Sequence, residues 1–281
     1  MKIFTATDTD SFSAAESGSR QRWSSIHSEL SQTAVPQEEH AFTLAELVVV
    51  LGMFALLGLL LLPAMAGAAD RSQRARCQDN LRRIALGVTM YAGNNGGRVF
   101  AARSAAGTYV QIALNPPEAA AATGVGLTFE TNGVWTCPNR PRLPFYDAAV
   151  SQWTIGYQYF GGIRQWMNPV GTFPSSSPTN MNIAQPHWAL AADAVLKVDG
   201  AWGGGSSAWY SNLPPHTAES SLLPQGGNEA FVDGSVQWIQ VEKMFFLSSW
   251  NSSARLAYWY QDPKDFSGSL KSALPILRFA P

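Results

Sequence analysis

Hydrophobic and polar positions divide the chain into three regimes. Residues 1–40 are polar, rich in Ser, Thr, Gln and Glu, and show no apolar period, so they read as a disordered or processed segment and not as a domain. From Ala41 to Ala69 the chain becomes continuously apolar, with Glu46 the single ionisable side chain. A run of this length has the dimensions of a membrane-spanning helix, because about 20 helical residues cross a bilayer core. Beyond Asp70 the pattern turns amphipathic. Cys77, Leu81, Ile84, Val88 and Tyr91 recur on one helical face while the Arg residues lie largely elsewhere, which predicts a helix to about Tyr91. Gly93 and the Asn94–Gly97 cluster then supply the stop.

After Arg98 no long helical period returns. Short apolar segments alternate with Gly, Pro, Ser and Asn, which predicts strands and loops. Asp199-Gly200 and Asp233-Gly234 each sit between strand-like runs, and the second, in NEAFVDGSVQWIQV, is the stronger hairpin signal. The expected organisation is therefore a leader over 1–41, a transmembrane helix over 42–69, an amphipathic extension over 70–92 and a β-rich head over 93–281.

Composition narrows the function classes. Charged residues make up only 14% of the 281 positions and the net charge is -1, so no global electrostatic signal points to nucleic acid. Two cysteines, Cys77 and Cys137, are too few for a disulfide-built scaffold and too far apart for a zinc knuckle. Cys77 shares the helical face expected to pack on the sheet, and Cys137 follows the apolar Val134-Trp135 pair, so the expected pairing is one disulfide tying helix to head. Two unpaired buried thiols are the alternative.

The segment Ala41-Phe42-Thr43-Leu44-Ala45-Glu46 resembles the cleavage and methylation site of type IV prepilins and type II secretion pseudopilins. The resemblance implies cleavage between Ala41 and Phe42 by a prepilin peptidase, methylation of the new amine on Phe42, and a role for Glu46 in assembly with other pilin or pseudopilin subunits. Pro63 matches the proline that bends the family's helix. The segments CQDNLRRIALGVTMYAGNNGGRVF, WTCPN, GYQYF and FVDGSVQW also resemble parts of a large group of prepilin-like proteins. In that group a His often stands shortly before the closing Asp-Gly, whereas His216 lies farther upstream of Asp233. The implied fold is α+β and pilin-like: a long N-terminal membrane-spanning helix packed on an antiparallel β-sheet head. The implied function is structural and not enzymatic, in a type IV pilus or type II secretion pseudopilus. The implied location is the inner membrane, single-pass, with the head outside the cytoplasm.

Flanking charge argues the other way on orientation. Arg71, Arg74, Arg76, Arg82 and Arg83 follow the apolar run while Glu38 and Glu39 precede it, so the positive-inside rule alone would leave the head in the cytoplasm. The competing functional class is a membrane-anchored ectodomain that binds or processes carbohydrate through Trp202, Trp209, Trp238, Trp250 and Trp259, although such residues more often fill a core. Asp193, Asp199 and Asp233 could offer oxygen to calcium, but their spacing matches no calcium loop, and neither metal nor cofactor is expected. His187 and His216 have no nucleophile or carboxylate pattern around them and read as structural histidines.

Overall fold

The computed structural model describes residues 42–205, 207–218 and 221–279, with the side chains of 60–69 and of residue 208 left aside. The expected leader and the Ala41 side of the cleavage site lie outside these residues, as does the side chain of Pro63. The chain divides into two units, Met1–Leu59 and Leu60–Pro281.

Helix α1 covers Leu44–Asn94. In the first unit its turns carry exposed apolar side chains, among them Leu47, Leu51, Phe54 and Leu57. The expected membrane-spanning helix is corrected: no helix among the described residues is long and apolar enough to cross a membrane. At about 1.5 Å of rise per residue, the apolar turns described with side chains, Leu44 to Leu59, reach roughly 24 Å, short of the ~30 Å hydrocarbon core. From Asp70 onward the helix carries Asp70, Arg71, Arg74 and Arg76.

In the second unit the predicted face of α1 is buried. Cys77, Leu81, Ile84 and Val88 are inaccessible, and Tyr91 is half-buried. The helix continues one turn past Tyr91 and stops where Gly96 and Gly97 take φ of 64° and 85°, a region that residues with a Cβ rarely enter. The amide of Gly97 donates back to the Ala92 carbonyl at 2.8 Å, which satisfies a helix-end acceptor.

The rest of this unit is short strands and turns. In chain order these are β1 (Arg103–Ala105), β2 (Thr108–Val110), β3 (Ala113–Leu114), helix α2 (Pro116–Thr123), β4 (Phe145–Asp147), β5 (Gln152–Thr154) and β6 (Tyr157–Tyr159). They continue as β7 (Gln165–Asn168), β8 (Gly171–Pro174), β9 (Ala189–Asp193), β10 (Val195–Val198), β11 (Gly226–Phe231), β12 (Val236–Gln240), β13 (Phe245–Phe246), β14 (Arg255–Trp259) and helix α3 (Gly268–Leu277). In place of the single sheet the resemblance implies there are several antiparallel ones: β12-β11-β9-β6, β10-β14-β13, β3-β5-β4 and two hairpins, β1-β2 and β7-β8. Frequent Gly and Pro keep the strands short, so no one sheet collects them all.

The four-stranded sheet carries the centre of the core. Every residue of β9 and β11 is buried. β9 is mostly alanine, as a strand covered on both faces allows, while β11 buries Asn228 and Glu229 among its small residues. Both Asp-Gly turns form, by different routes. At Asp199-Gly200 both central residues have positive φ, 51° and 79°, closing Val198 onto Ala201. At Asp233-Gly234 only Gly234 does, at 83°, and the Phe231 amide bonds the Ser235 carbonyl in a longer, bulged loop between β11 and β12.

Candidate functional site

Three segments distant in sequence meet behind α1. Cys77 comes from the buried helical face, Asp193 ends β9, and His216 sits in the loop that leads to β11. Their ligating atoms all lie within 4.8 Å of one another, and all three residues are buried. The Cys137 sulfur stands 3.4 Å from that of Cys77.

Each of these side chains is placed by backbone bonds nearby. Asn139 donates from Nδ2 to the Pro215 carbonyl at 2.5 Å and accepts at its own carbonyl from Asn212 Nδ2 at 2.8 Å. The Gln225 amide donates to the His216 carbonyl at 3.1 Å, which ties the loop to the start of β11. On the opposite side, the Gly156 amide donates to the Trp135 carbonyl at 2.9 Å. A Cβ at position 156 would stand 2.5 Å from that carbonyl oxygen and 2.7 Å from the Cys137 nitrogen, so a glycine is needed where the link between β5 and β6 crosses the cysteine turn.

Polar contacts around the group are unevenly met. Asp193 Oδ2 accepts from the Asn228 amide at 2.7 Å and from Asn228 Nδ2 at 3.0 Å. His216 Nε2 lies 3.3 Å from the same oxygen. Neither His216 Nε2 nor Asp193 Oδ1 makes a hydrogen bond, although both are buried. The other face of the imidazole presents Nδ1 to Asn139 Nδ2 at 3.4 Å and to Asp70 Oδ1 at 3.8 Å. Trp238 packs edge-on against the His216 ring at 5.5 Å, and Arg74 covers Trp238 at 4.0 Å. The sulfur contact with Cys137, then burial, then the charge of Asp193 push the Cys77 thiol far up from its ordinary value. A thiol kept protonated is a poor nucleophile. All three members of the group are buried.

The remaining residues singled out by sequence are dispersed. Both cysteines are free thiols in contact with each other, not joined. Asp199 pairs with Arg255 at 2.5 Å, and Asp233 accepts from the Ser235 amide, so neither joins Asp193. His187 is clamped by Asp265 at 2.8 Å. None of the five Trp residues proposed for a sugar surface is exposed, and Trp259 is fully buried. Phe42 is exposed.

Glu46 has a partner that sequence reasoning missed. Its carboxylate accepts from the Thr43 amide and from Thr43 Oγ1, both at 2.8 Å, while Thr43 Oγ1 accepts from the Glu46 amide at 3.2 Å. This is a capping box, and the Thr-x-x-Glu spacing that announces it stands in the sequence. No protein-family model, curated protein or solved structure matches this chain.

Proposed function

We propose that the chain is a structural subunit or minor component of a filament of the type IV pilus or type II secretion pseudopilus kind, assembled through its N-terminal helix after removal of a leader ending at Ala41. One observation supports this reading above the others. Directly after the cleavage-like motif, the helical turns to Leu59 leave Leu44, Leu47, Val48, Leu51, Phe54 and Leu57 exposed. Burying such side chains is worth roughly 1.5–3 kcal/mol apiece, so the stretch strongly favours a cover. Helices of other copies are that cover in the proposed assembly. Glu46 would then face the methylated Phe42 amine of a neighbouring subunit, and the head would lie outside the cytoplasm. Partners are a prepilin peptidase and other pilin-like subunits.

The test is the mass of the chain recovered from cells with and without an active prepilin peptidase. A peptidase-dependent product beginning at N-methylated Phe42 is expected. Recovery of full-length chain alone from peptidase-containing cells overturns the reading.

A further inference from the structure

We infer that Cys77, Asp193 and His216 form a binding site for a zinc-class divalent cation. The site lies wholly within the second unit, and the exposed turns up to Leu59 belong to the first.

The donor set is the first argument. Thiolate sulfur, imidazole nitrogen and carboxylate oxygen together suit Zn²⁺, whereas calcium and magnesium select all-oxygen cages. Distances agree. A tetrahedral Zn²⁺ with bonds of about 2.0–2.3 Å separates its donors by roughly 3.3–3.8 Å. His216 Nε2 and Asp193 Oδ2 are 3.3 Å apart, and the ligating atoms of all three residues lie within 4.8 Å of one another.

Unmet polarity is the second argument. A buried imidazole nitrogen and a buried carboxylate oxygen without hydrogen bonds are costly unless something satisfies them. A cation among these donors satisfies both.

Supporting contacts are the third. Asn228 fixes the Asp193 carboxylate through two hydrogen bonds to Oδ2, the oxygen nearest His216 Nε2. A cleft of about 380 Å³, lined by Asp70, Asn139, Pro215 and Thr217, opens beside the histidine loop.

The full chain, purified under reducing conditions, is titrated with Zn²⁺ against a chromophoric chelator, and its Co²⁺ form is recorded by absorption spectroscopy. One equivalent of Zn²⁺ per chain is expected, with a sulfur-to-cobalt charge-transfer band from the Co²⁺ form. Cys77→Ser should remove that site, and Asn228→Ala should weaken Zn²⁺ about 10–100-fold while keeping the band. His187→Ala, at the other histidine, should leave the stoichiometry unchanged. Because wild-type chain carries the decisive reading, the test survives any variant that fails to fold. Folded wild-type chain with free thiols and no Zn²⁺ bound overturns the inference. A mass two hydrogens lighter, showing Cys77 joined to Cys137 in protein taken directly from cells, overturns it equally.

Discussion

Arg140 donates from Nη2 to the carbonyl of Trp209 at 2.6 Å while wholly buried. Its Nε and Nη1 reach the carbonyls of Ser211 and Gly156 at 3.2 and 3.3 Å, and among the described residues no carboxylate pairs with it. Burial draws its pKa down to about 10, still leaving it charged at neutral pH. The guanidinium is thus a rigid fork binding three loop carbonyls. Arg140→Met should strip all three of their donor and cost on the order of 3 kcal/mol, read as a lowered urea midpoint. Arg140→Lys should also fall short, since a single ammonium cannot span the three acceptors. An unchanged midpoint for Arg140→Met contradicts this account.

Glu229 gives a pH dependence with a definite sign. It is fully buried on β11, one oxygen accepts from the Tyr260 amide at 3.0 Å, and the other has no partner. Burial raises its pKa well above the ordinary 4.5. The unfolded chain therefore releases this proton near 4.5 while the folded chain keeps it. Stability from this group is present below that pH and is lost as pH rises toward the folded value, with a slope of at most about 1.4 kcal/mol per unit. Glu229→Gln should remove that decline. Parallel stability profiles for wild type and variant, measured by urea unfolding from pH 4 upward, would show that the carboxyl does not titrate as argued.

Ile84 and Leu86 test which face of α1 holds the head. Ile84 is buried and Leu86 is exposed on the same helix. Ile84→Ala should cost about 2–5 kcal/mol, and Leu86→Ala less than about 0.5 kcal/mol. Equal costs, by thermal or urea unfolding, would mean that this helix face does not bear the packing.

Glu46→Leu separates capping from assembly. Both this change and Thr43→Val break the capping box, at about 1 kcal/mol of local helix stability. Only Glu46→Leu also removes the charge proposed to meet a neighbour's amine. Crosslinking in cells should therefore fall much further for Glu46→Leu than for Thr43→Val, with cleavage retained in both. Equal crosslinking yields would confine Glu46 to its cap.

The helical period that placed Cys77, Leu81, Ile84 and Val88 on one face was legible because burial repeats locally along α1. The two Asp-Gly turns were legible for the same reason, being set by their own backbone preferences. The span was not, because hydropathy reports how apolar a stretch is, and the described turns are too short to cross. The capping box lay open in Thr43 and Glu46 but was overshadowed by the motif that contains them. His216 and Asp193 illustrate what sequence withholds. Neither has a partner at motif spacing, and their meeting depends on where β9 ends and on how Asn139 and Gln225 hold a loop. Only Cys77 carried an advance signal, through its place on the buried face.

Cys77, Asp193 and His216 are joined by no local segment, so their meeting closes long stretches of chain. Closing such long loops is slow, because chain entropy must be overcome before the contacts repay it. The Cys77 thiol, inaccessible in the native head, therefore keeps time for the whole unit. Its rate of labelling by a small alkylating reagent records how often the helix, β9 and the histidine loop come apart together.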